Sequence, residues 1–137
     1  MKAYVDSSVV LRIVLGEGGA LRQWSRIEVA VTSEISRVEC LRALDRLRIH
    51  GGMADRELAR RRATTLELLE GFDLVRLNHA VLDRASEPFP TQLRTLDAVH
   101  VASAMLLRAR IPSMRFATHD ADLATAALAV GLRVIGV

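Results

Sequence analysis

The chain alternates short apolar, β-like runs with amphipathic helical runs, and short breaks separate one run from the next. Strand–helix–strand units place their strands parallel in one sheet, so the alternation predicts an α/β fold. We expect a mainly parallel five-stranded sheet flanked by helices. The predicted strands are Ala3–Val5, Val29–Thr32, Phe72–Leu77, Met114–Ala117 and Arg133–Val137.

The helical runs carry recognisable start and stop signals. Ser36 followed three residues later by Glu39 has the capping-box spacing, and Gly51 and Gly52 are typical of a helix end. Thr95 is expected to cap a later helix, which reaches about Arg110 with its apolar residues broadly along one face. The other predicted helices are Ser7–Leu15, a short one at Leu21–Ser25, Asp55–Glu70, His79–Ser86 and Ala121–Val130.

No linker, repeat or low-complexity tract interrupts the chain, so residues 1–137 are predicted to form one domain. No apolar run is long enough to span a bilayer, and the start MKAYVDSS lacks the apolar stretch of a signal peptide. We therefore expect a cytoplasmic protein. Cys40 is the single cysteine, and no Cys or His spacing resembles a zinc site.

The basic residues are almost all arginine, which supplies all but one of 19. The net charge is +3 and the sequence pI is about 10.0. Arginine binds phosphate through a bidentate fork that lysine lacks, so this balance suits a polyanionic partner such as nucleic acid. A genomic bias toward arginine codons explains the composition equally well, so charge supports the idea without establishing it.

Four acidic residues fall at positions that a parallel sheet brings to one edge. Asp6 ends the first predicted strand and Asp120 follows the fourth, whereas Glu39 and Asp97 lie in the first turns of two predicted helices. Sites in such sheets form at the carboxyl ends of the strands, where the returning helices begin. We therefore expect the four carboxylates to converge.

Converging carboxylates need a compensating charge. Two of them about 4 Å apart repel by roughly 4 kcal/mol at an effective dielectric of about 20. Carboxylate oxygens favour Mg²⁺ or Mn²⁺, which can activate a water and stabilise charge on a phosphoryl oxygen. The pattern therefore predicts a divalent-metal site suited to phosphodiester hydrolysis.

Each acid also has a purely structural explanation. Asp6 and Asp120 could simply cap the helices that follow them. Glu39 could be the return arm of the capping box or pair with Arg42, and Asp97 could merely complement a helix dipole. None of these explanations by itself predicts four acids at one edge.

Other features carry less weight. The GEGG stretch lacks dinucleotide-binding spacing and follows a helix. His119 is expected to be a partly exposed loop residue, and His100, three residues after Asp97, could approach the site but looks structural. The basic run Arg60–Arg62 is typical of a solvated helix face.

Four segments together carry a family resemblance: AYVDSSVVLRIVLGE, SRVECLRAL, RTLDAVHVASA and ATHDADLATAALAVGLRVIGV. They resemble the PIN-domain family, specifically VapC-type toxins of toxin–antitoxin pairs. The resemblance covers essentially the whole chain. It implies a metal-dependent endoribonuclease with four acids, Asp6, Glu39, Asp97 and Asp120, as Mg²⁺ or Mn²⁺ ligands. Ser7 and Thr118 match small hydroxyl positions near the site and could orient a ligand or water. Asp122 is an extra acid that could act as an outer-sphere ligand, or it could simply lie at a solvated helix start.

The same resemblance implies an RNA substrate, a homodimer and a small antitoxin that blocks the acidic pocket. The alternative is a non-catalytic PIN-like module that binds RNA or protein. A phospho-acceptor receiver would also use an acid after the first strand. It is disfavoured because no lysine lies near the fifth strand and no D-x-D follows the first.

Overall fold

The computed structural model describes residues 1–137 and contains one parallel sheet with the strand order β3-β2-β1-β4-β5. The predicted α/β class and parallel sheet are confirmed. The elements are β1 (Lys2–Val5), α1 (Ser7–Leu15), β2 (Val29–Ser33), α2 (Ile35–Gly51), α3 (Asp55–Glu70), β3 (Asp73–Val75), α4 (His79–Ser86), α5 (Thr95–Arg108), β4 (Arg115–Ala117), α6 (Ala121–Ala129) and β5 (Arg133–Ile135).

Two apolar clusters pack against opposite faces of the sheet, because successive side chains of a strand point to opposite sides. In β1, Ala3 and Val5 join the cluster that contains residues of α1, α2 and α3. Tyr4 belongs to the other cluster, with residues of α5 and α6. The central strand β1 is buried on both faces, as expected of a parallel sheet covered by helices.

Two predicted helix starts were wrong. α2 begins at Ile35, and the buried Ser36 hydroxyl bonds to that of Thr32 at 2.7 Å instead of capping the helix. Arg94 occupies the N-cap position of α5, and Thr95 is the first helical residue. The Ser36 hydroxyl bonds to Thr32 on the preceding strand, four residues earlier, so it is not available for the capping role that the local rule predicts.

Other elements differ in extent. The helix predicted at Leu21–Ser25 is only a 3₁₀ turn at Trp24–Arg26, and β3 and β5 are shorter than predicted. α5 is buried at every position from Ala98 to Ala104, rather than along one face, because it contacts α4, α6 and β2. None of the helices combines the length and apolarity that crossing a bilayer requires.

Candidate metal and catalytic site

Asp6 forms the floor of the site. It follows β1 directly and is 3% exposed. Its carboxylate accepts hydrogen bonds from the hydroxyls of Ser8 at 2.6 Å and Thr118 at 2.9 Å, and from the backbone N–H of Val9 at 3.3 Å. The last bond makes Asp6 the N-cap of α1, so the predicted capping role is confirmed. Capping uses Oδ1 and leaves Oδ2 directed at Thr118.

Burial raises the pKa of Asp6 above its ordinary value, because a carboxylate loses solvation in the protein interior. Hydrogen bonds from Ser8 and Thr118 and the nearby His100 act in the opposite direction but do not cancel the effect of burial. A cation bound beside Asp6 would stabilise its ionised form.

Glu39 is held by a buried hydrogen-bond chain. Its Oε1 lies 2.6 Å from Nε2 of His100, whose Nδ1 lies 2.8 Å from the hydroxyl of Tyr4. His100 is 1% exposed and Tyr4 is fully buried, and burial raises the pKa of the Tyr4 phenol, which stays protonated. The partners are consistent with the phenol donating to Nδ1 and Nε2–H donating to Glu39. The chain leaves Glu39 Oε2 for another ligand.

Asp97 and Asp120 share one cation. Arg94 Nε donates to Asp97 Oδ2 at 2.9 Å, and Arg94 Nη2 lies 3.5 Å from Asp120 Oδ2. The hydrogen bond to Asp97 is the main reason that the pKa of Arg94 is raised, and the charges of Asp120 and Asp122 add to it. The two carboxylates are partly accessible, with side-chain exposures of 15% and 31%.

Thr118 connects Asp6 to Asp120. Its hydroxyl donates to Asp6 Oδ2, and the backbone N–H of Asp120 donates to the same hydroxyl oxygen at 3.0 Å. Asp120 also caps α6 by accepting from Leu123 N–H at 2.9 Å, which confirms its predicted structural role. Because a single hydroxyl serves both residues, the ends of β1 and β4 are fixed relative to each other.

The structure therefore brings the four predicted acids to one sheet edge through a series of contacts, but not into a preformed cluster. No group of three or more acidic, histidine or cysteine side chains lies close enough to hold one metal ion. Glu39 is turned to His100, and Asp97 and Asp120 are turned to Arg94. The donors fit a hard divalent cation in kind, and the convergence of two carboxylates on the Arg94 guanidinium shows that this pocket accommodates a positive charge.

The secondary candidates have distinct surroundings. Ser8, rather than Ser7, is the serine whose hydroxyl reaches Asp6. Asp122 is exposed and lines the same cavity as Asp97 and Asp120. The ring of His119 is half-buried and bonds through Nδ1 to the carbonyl of Gly136 at 2.7 Å, and it lines a cavity that includes none of the four acids.

Ion pairs within α2 and α3 account for several of the other charged residues. Arg42 pairs with Asp45, so its suggested pairing with Glu39 was wrong. In the basic run, the exposed Arg60 pairs with Glu57, as expected of a solvated helix face. Arg61 departs from that expectation, because it is partly buried and donates both to Glu57 and to the carbonyl of Val14 on α1. Asp97 does lie in the first turn of α5.

Sequence reasoning missed the partners that hold the acids: Tyr4, Ser8 and Arg94. A signal existed for two of them. Tyr4 is the single tyrosine and lies in an apolar strand, where a buried hydroxyl needs a partner. Arg94 precedes Asp97 by three residues, which is a favourable spacing for a helical ion pair.

The PIN-domain family model matches residues 3–128 of the chain. The chain belongs to the PIN-domain family. It is 35% identical over 135 residues to the Ribonuclease VapC46 of Mycobacterium tuberculosis, covering 96% of this chain and 95% of that protein. It is also 31% identical over 135 residues to Ribonuclease VapC47 of the same species, with coverages of 93% and 91%. The family resemblance inferred from the four sequence segments is confirmed.

Two solved structures share the fold of this PIN-domain protein. A toxin–antitoxin complex from Klebsiella pneumoniae matches with a TM-score of 0.65 and 16% identity, over 90% of this chain and 91% of the other. The crystal structure of PAE2754 from Pyrobaculum aerophilum matches with a TM-score of 0.66 and 17% identity, over 98% and 83%. At these identities the similarity shows the fold alone.

Proposed function

We propose that this PIN-domain protein is an endoribonuclease that hydrolyses RNA phosphodiester bonds with Mg²⁺ or Mn²⁺ and acts as the toxin of a type II toxin–antitoxin pair. The observation that carries the proposal is the sheet edge where Asp6 and Asp120 are joined through Thr118 and Asp97 and Asp120 share one cation. The two curated relatives, both named as ribonucleases, support the same activity.

The metal ligands on this proposal are Asp6, Glu39, Asp97 and Asp120. When bound, Mg²⁺ or Mn²⁺ would supply an activated water and neutralise charge on the scissile phosphate. Small side-chain rotations of the partly accessible Asp97 and Asp120 would complete the ligand set, while Asp6 stays fixed by its internal hydrogen bonds. Ser7, Thr118 and Asp122 are candidates for outer-sphere roles.

The protein residues have separable tasks in this mechanism. Thr118 and Ser8 orient the Asp6 carboxylate, and the Tyr4–His100 pair orients Glu39. A carboxylate held by such bonds keeps its lone pairs directed at one place. Residues that hydrogen-bond to a metal ligand increase metal affinity in this way. Asp6 and Glu39 would therefore be preorganised ligands for the metal.

The proposed partners follow from the surface as well as from the relatives. The arginine-rich composition suits RNA. Beside the β3 edge strand lies a groove of about 710 Å³ lined by apolar residues that include Ile35, Val38 and Leu74. Such a groove suits an amphipathic helix of a protein partner. We include a cognate antitoxin, a homodimer and action in the cytoplasm in the proposal, with residues 1–137 as one PIN domain.

The test is RNA cleavage by purified, partner-free protein with Mn²⁺, Mg²⁺ or EDTA, alongside Asp6→Asn and Asp97→Asn. We expect metal-dependent cleavage in the wild-type protein and a loss of at least about a hundredfold in each variant. Losing a residue that only orients a metal ligand can cost about a hundredfold, and losing the ligand itself should cost at least as much. Circular dichroism and thermal melting would show that both variants fold.

The alternative is a PIN-like module that binds RNA or protein without cleaving. It would be supported if folded wild-type protein bound RNA, with or without Mn²⁺, and cut no member of a pool containing transfer, ribosomal and messenger RNA. Cleavage that persists in EDTA, or in both variants, would place the chemistry outside the four acids. Co-expression with the product of a neighbouring small reading frame would test the antitoxin, which should suppress cleavage.

A further inference from the structure

We propose that Arg94 has two alternating partners: the carboxylates of Asp97 and Asp120 before metal binds, and a phosphate of the RNA substrate afterwards. The inference rests on the proposed function, because it assigns a substrate-binding role at the same site. Its basis is the position of one guanidinium across the mouth of the acidic pocket.

The contacts of Arg94 make it a competitor of the metal. Its Nε and Nη2 atoms take the Oδ2 oxygens of Asp97 and Asp120, at 2.9 and 3.5 Å. Those two carboxylates belong to the proposed ligand set, so a divalent ion that recruits them weakens the attraction that holds the guanidinium. Arg94 thus neutralises the pocket only until a stronger cation enters.

The surroundings of Arg94 leave it free to move. Its side chain is 79% exposed and its hydrogen bonds are confined to the two carboxylates. It also precedes α5 at the N-cap position, where the side chain is not part of the capping interaction. Exposed ion pairs contribute little to stability, so exchanging partners costs little.

The pocket gives Arg94 a reason to bind phosphate. The residues that line the cavity of about 590 Å³ beside Asp97 and Asp120 include Asp122, and Arg94 is the one basic residue among them. An RNA phosphate that approaches this cavity meets three carboxylates and needs a cation besides the metal. A guanidinium released from Asp97 lies at the required place and can bind phosphate in a bidentate manner.

The experiment compares wild type with Arg94→Gln, Arg94→Lys and the matched control Arg110→Gln. Arg110 is exposed just beyond the opposite end of α5, where the same charge is removed far from the pocket. Mn²⁺ affinity is measured by calorimetry without RNA, and RNA affinity and cleavage are measured across a salt series at saturating Mn²⁺.

For Arg94→Gln we expect tighter Mn²⁺ binding, on the order of threefold, as removal of a weak competing ion pair allows. Cleavage should nevertheless fall about tenfold in kcat/KM, and the salt dependence of RNA affinity should lose roughly one phosphate contact. Arg94→Lys should restore the salt dependence, and Arg110→Gln should match wild type in Mn²⁺ affinity and cleavage.

Other results would overturn the proposal. Weaker Mn²⁺ binding by Arg94→Gln would mean that Arg94 positions the ligands instead of competing with the metal. Tighter Mn²⁺ binding with unchanged cleavage would mean that Arg94 is a counter-ion without a role toward RNA. Wild-type protein that neither binds Mn²⁺ nor cleaves would instead overturn the proposed function, which keeps the two failures distinguishable.

Discussion

The two halves of the acidic edge are built differently. In one half, named the buried half for its largely buried hydrogen-bonding partners, Asp6 and Glu39 are held by Ser8, Thr118 and the His100–Tyr4 pair, and Glu39 itself is 16% exposed. In the open half, Asp97 and Asp120 are held by the charged and mostly exposed Arg94. A hydrogen bond to a buried partner orients a carboxylate more strongly than an exposed ion pair does, and the exposed pair can exchange partners.

This difference suggests a division of labour. The buried half would fix the geometry of the site, and the open half would control what enters it. Substitutions in each half should therefore have different effects on metal binding, cleavage and stability.

Asp97→Asn and Asp122→Asn compare a proposed direct ligand with its exposed acidic neighbour, a candidate for an outer-sphere role only. Both residues are near Arg94, but only Asp97 is a proposed ligand. We expect Asp97→Asn to reduce metal-dependent RNA cleavage by at least about a hundredfold. Asp122→Asn should change it by less than about threefold, since an exposed charge has a weak, screened influence. Equal losses in single-turnover assays would show that total negative charge matters rather than ligand identity.

Tyr4→Phe tests the buried half. The substitution leaves His100 Nδ1 without its partner, and an unsatisfied buried polar group costs about 1–3 kcal/mol of unfolding free energy. It should also leave the Glu39 carboxylate less well oriented and weaken Mn²⁺ binding by about tenfold, which is typical of losing a residue that orients a metal ligand.

The control for that effect is Phe116→Leu. Phe116 stacks on Tyr4 with ring centroids 5.5 Å apart, but it is not part of the hydrogen-bond chain that holds Glu39. It should destabilise the protein without weakening Mn²⁺ binding. Urea unfolding and Mn²⁺ calorimetry on both variants would distinguish orientation of Glu39 from general loss of packing, and a normal Mn²⁺ affinity in Tyr4→Phe would remove the orienting role.

Much of this arrangement could be predicted from sequence because it depends on topology. Asp6 directly follows one strand pattern and Asp120 comes three residues after another, and parallel strands bring such positions together. The partners could not be predicted in the same way. The pairing of Glu39 with His100 joins residues 61 positions apart on α2 and α5, and no local pattern specifies how two helices face each other. Ser36 was wrongly assigned to a cap for a different reason: α2 begins at Ile35, and the Ser36 hydroxyl bonds to Thr32 of β2, four residues earlier.

Thr118→Val tests the connection between Asp6 and Asp120. The variant loses a donor to Asp6 and an acceptor for the Asp120 N–H, while its volume is nearly unchanged. We expect Thr118→Val to lose about 1–3 kcal/mol of unfolding free energy. Thr118→Ser keeps the hydroxyl and should retain most of the wild-type stability. If chemical denaturation gives the same stability for the valine and serine variants, the hydroxyl does not connect the two strand ends.

Asp6→Asn should reveal its effect through pH. Because burial raises the pKa of Asp6 in the folded protein, the folded state binds its proton more tightly than the unfolded state does. Stability therefore falls as pH rises from the unfolded pKa to the folded one, and the deficit persists above it. In EDTA, Asp6→Asn should melt at a higher temperature than wild type at pH 8. The difference should narrow toward pH 4, and a gap that widens on acidification would contradict the assignment.

Anomalous diffraction from crystals soaked in MnCl₂ tests the central claim most directly. The account predicts a manganese peak at the carboxyl edge of the sheet, bound by Asp6 and by at least two of the acids Glu39, Asp97 and Asp120. Crystals that remain ordered at saturating Mn²⁺ with no peak at this edge, or with one that Asp6 does not contact, would contradict it.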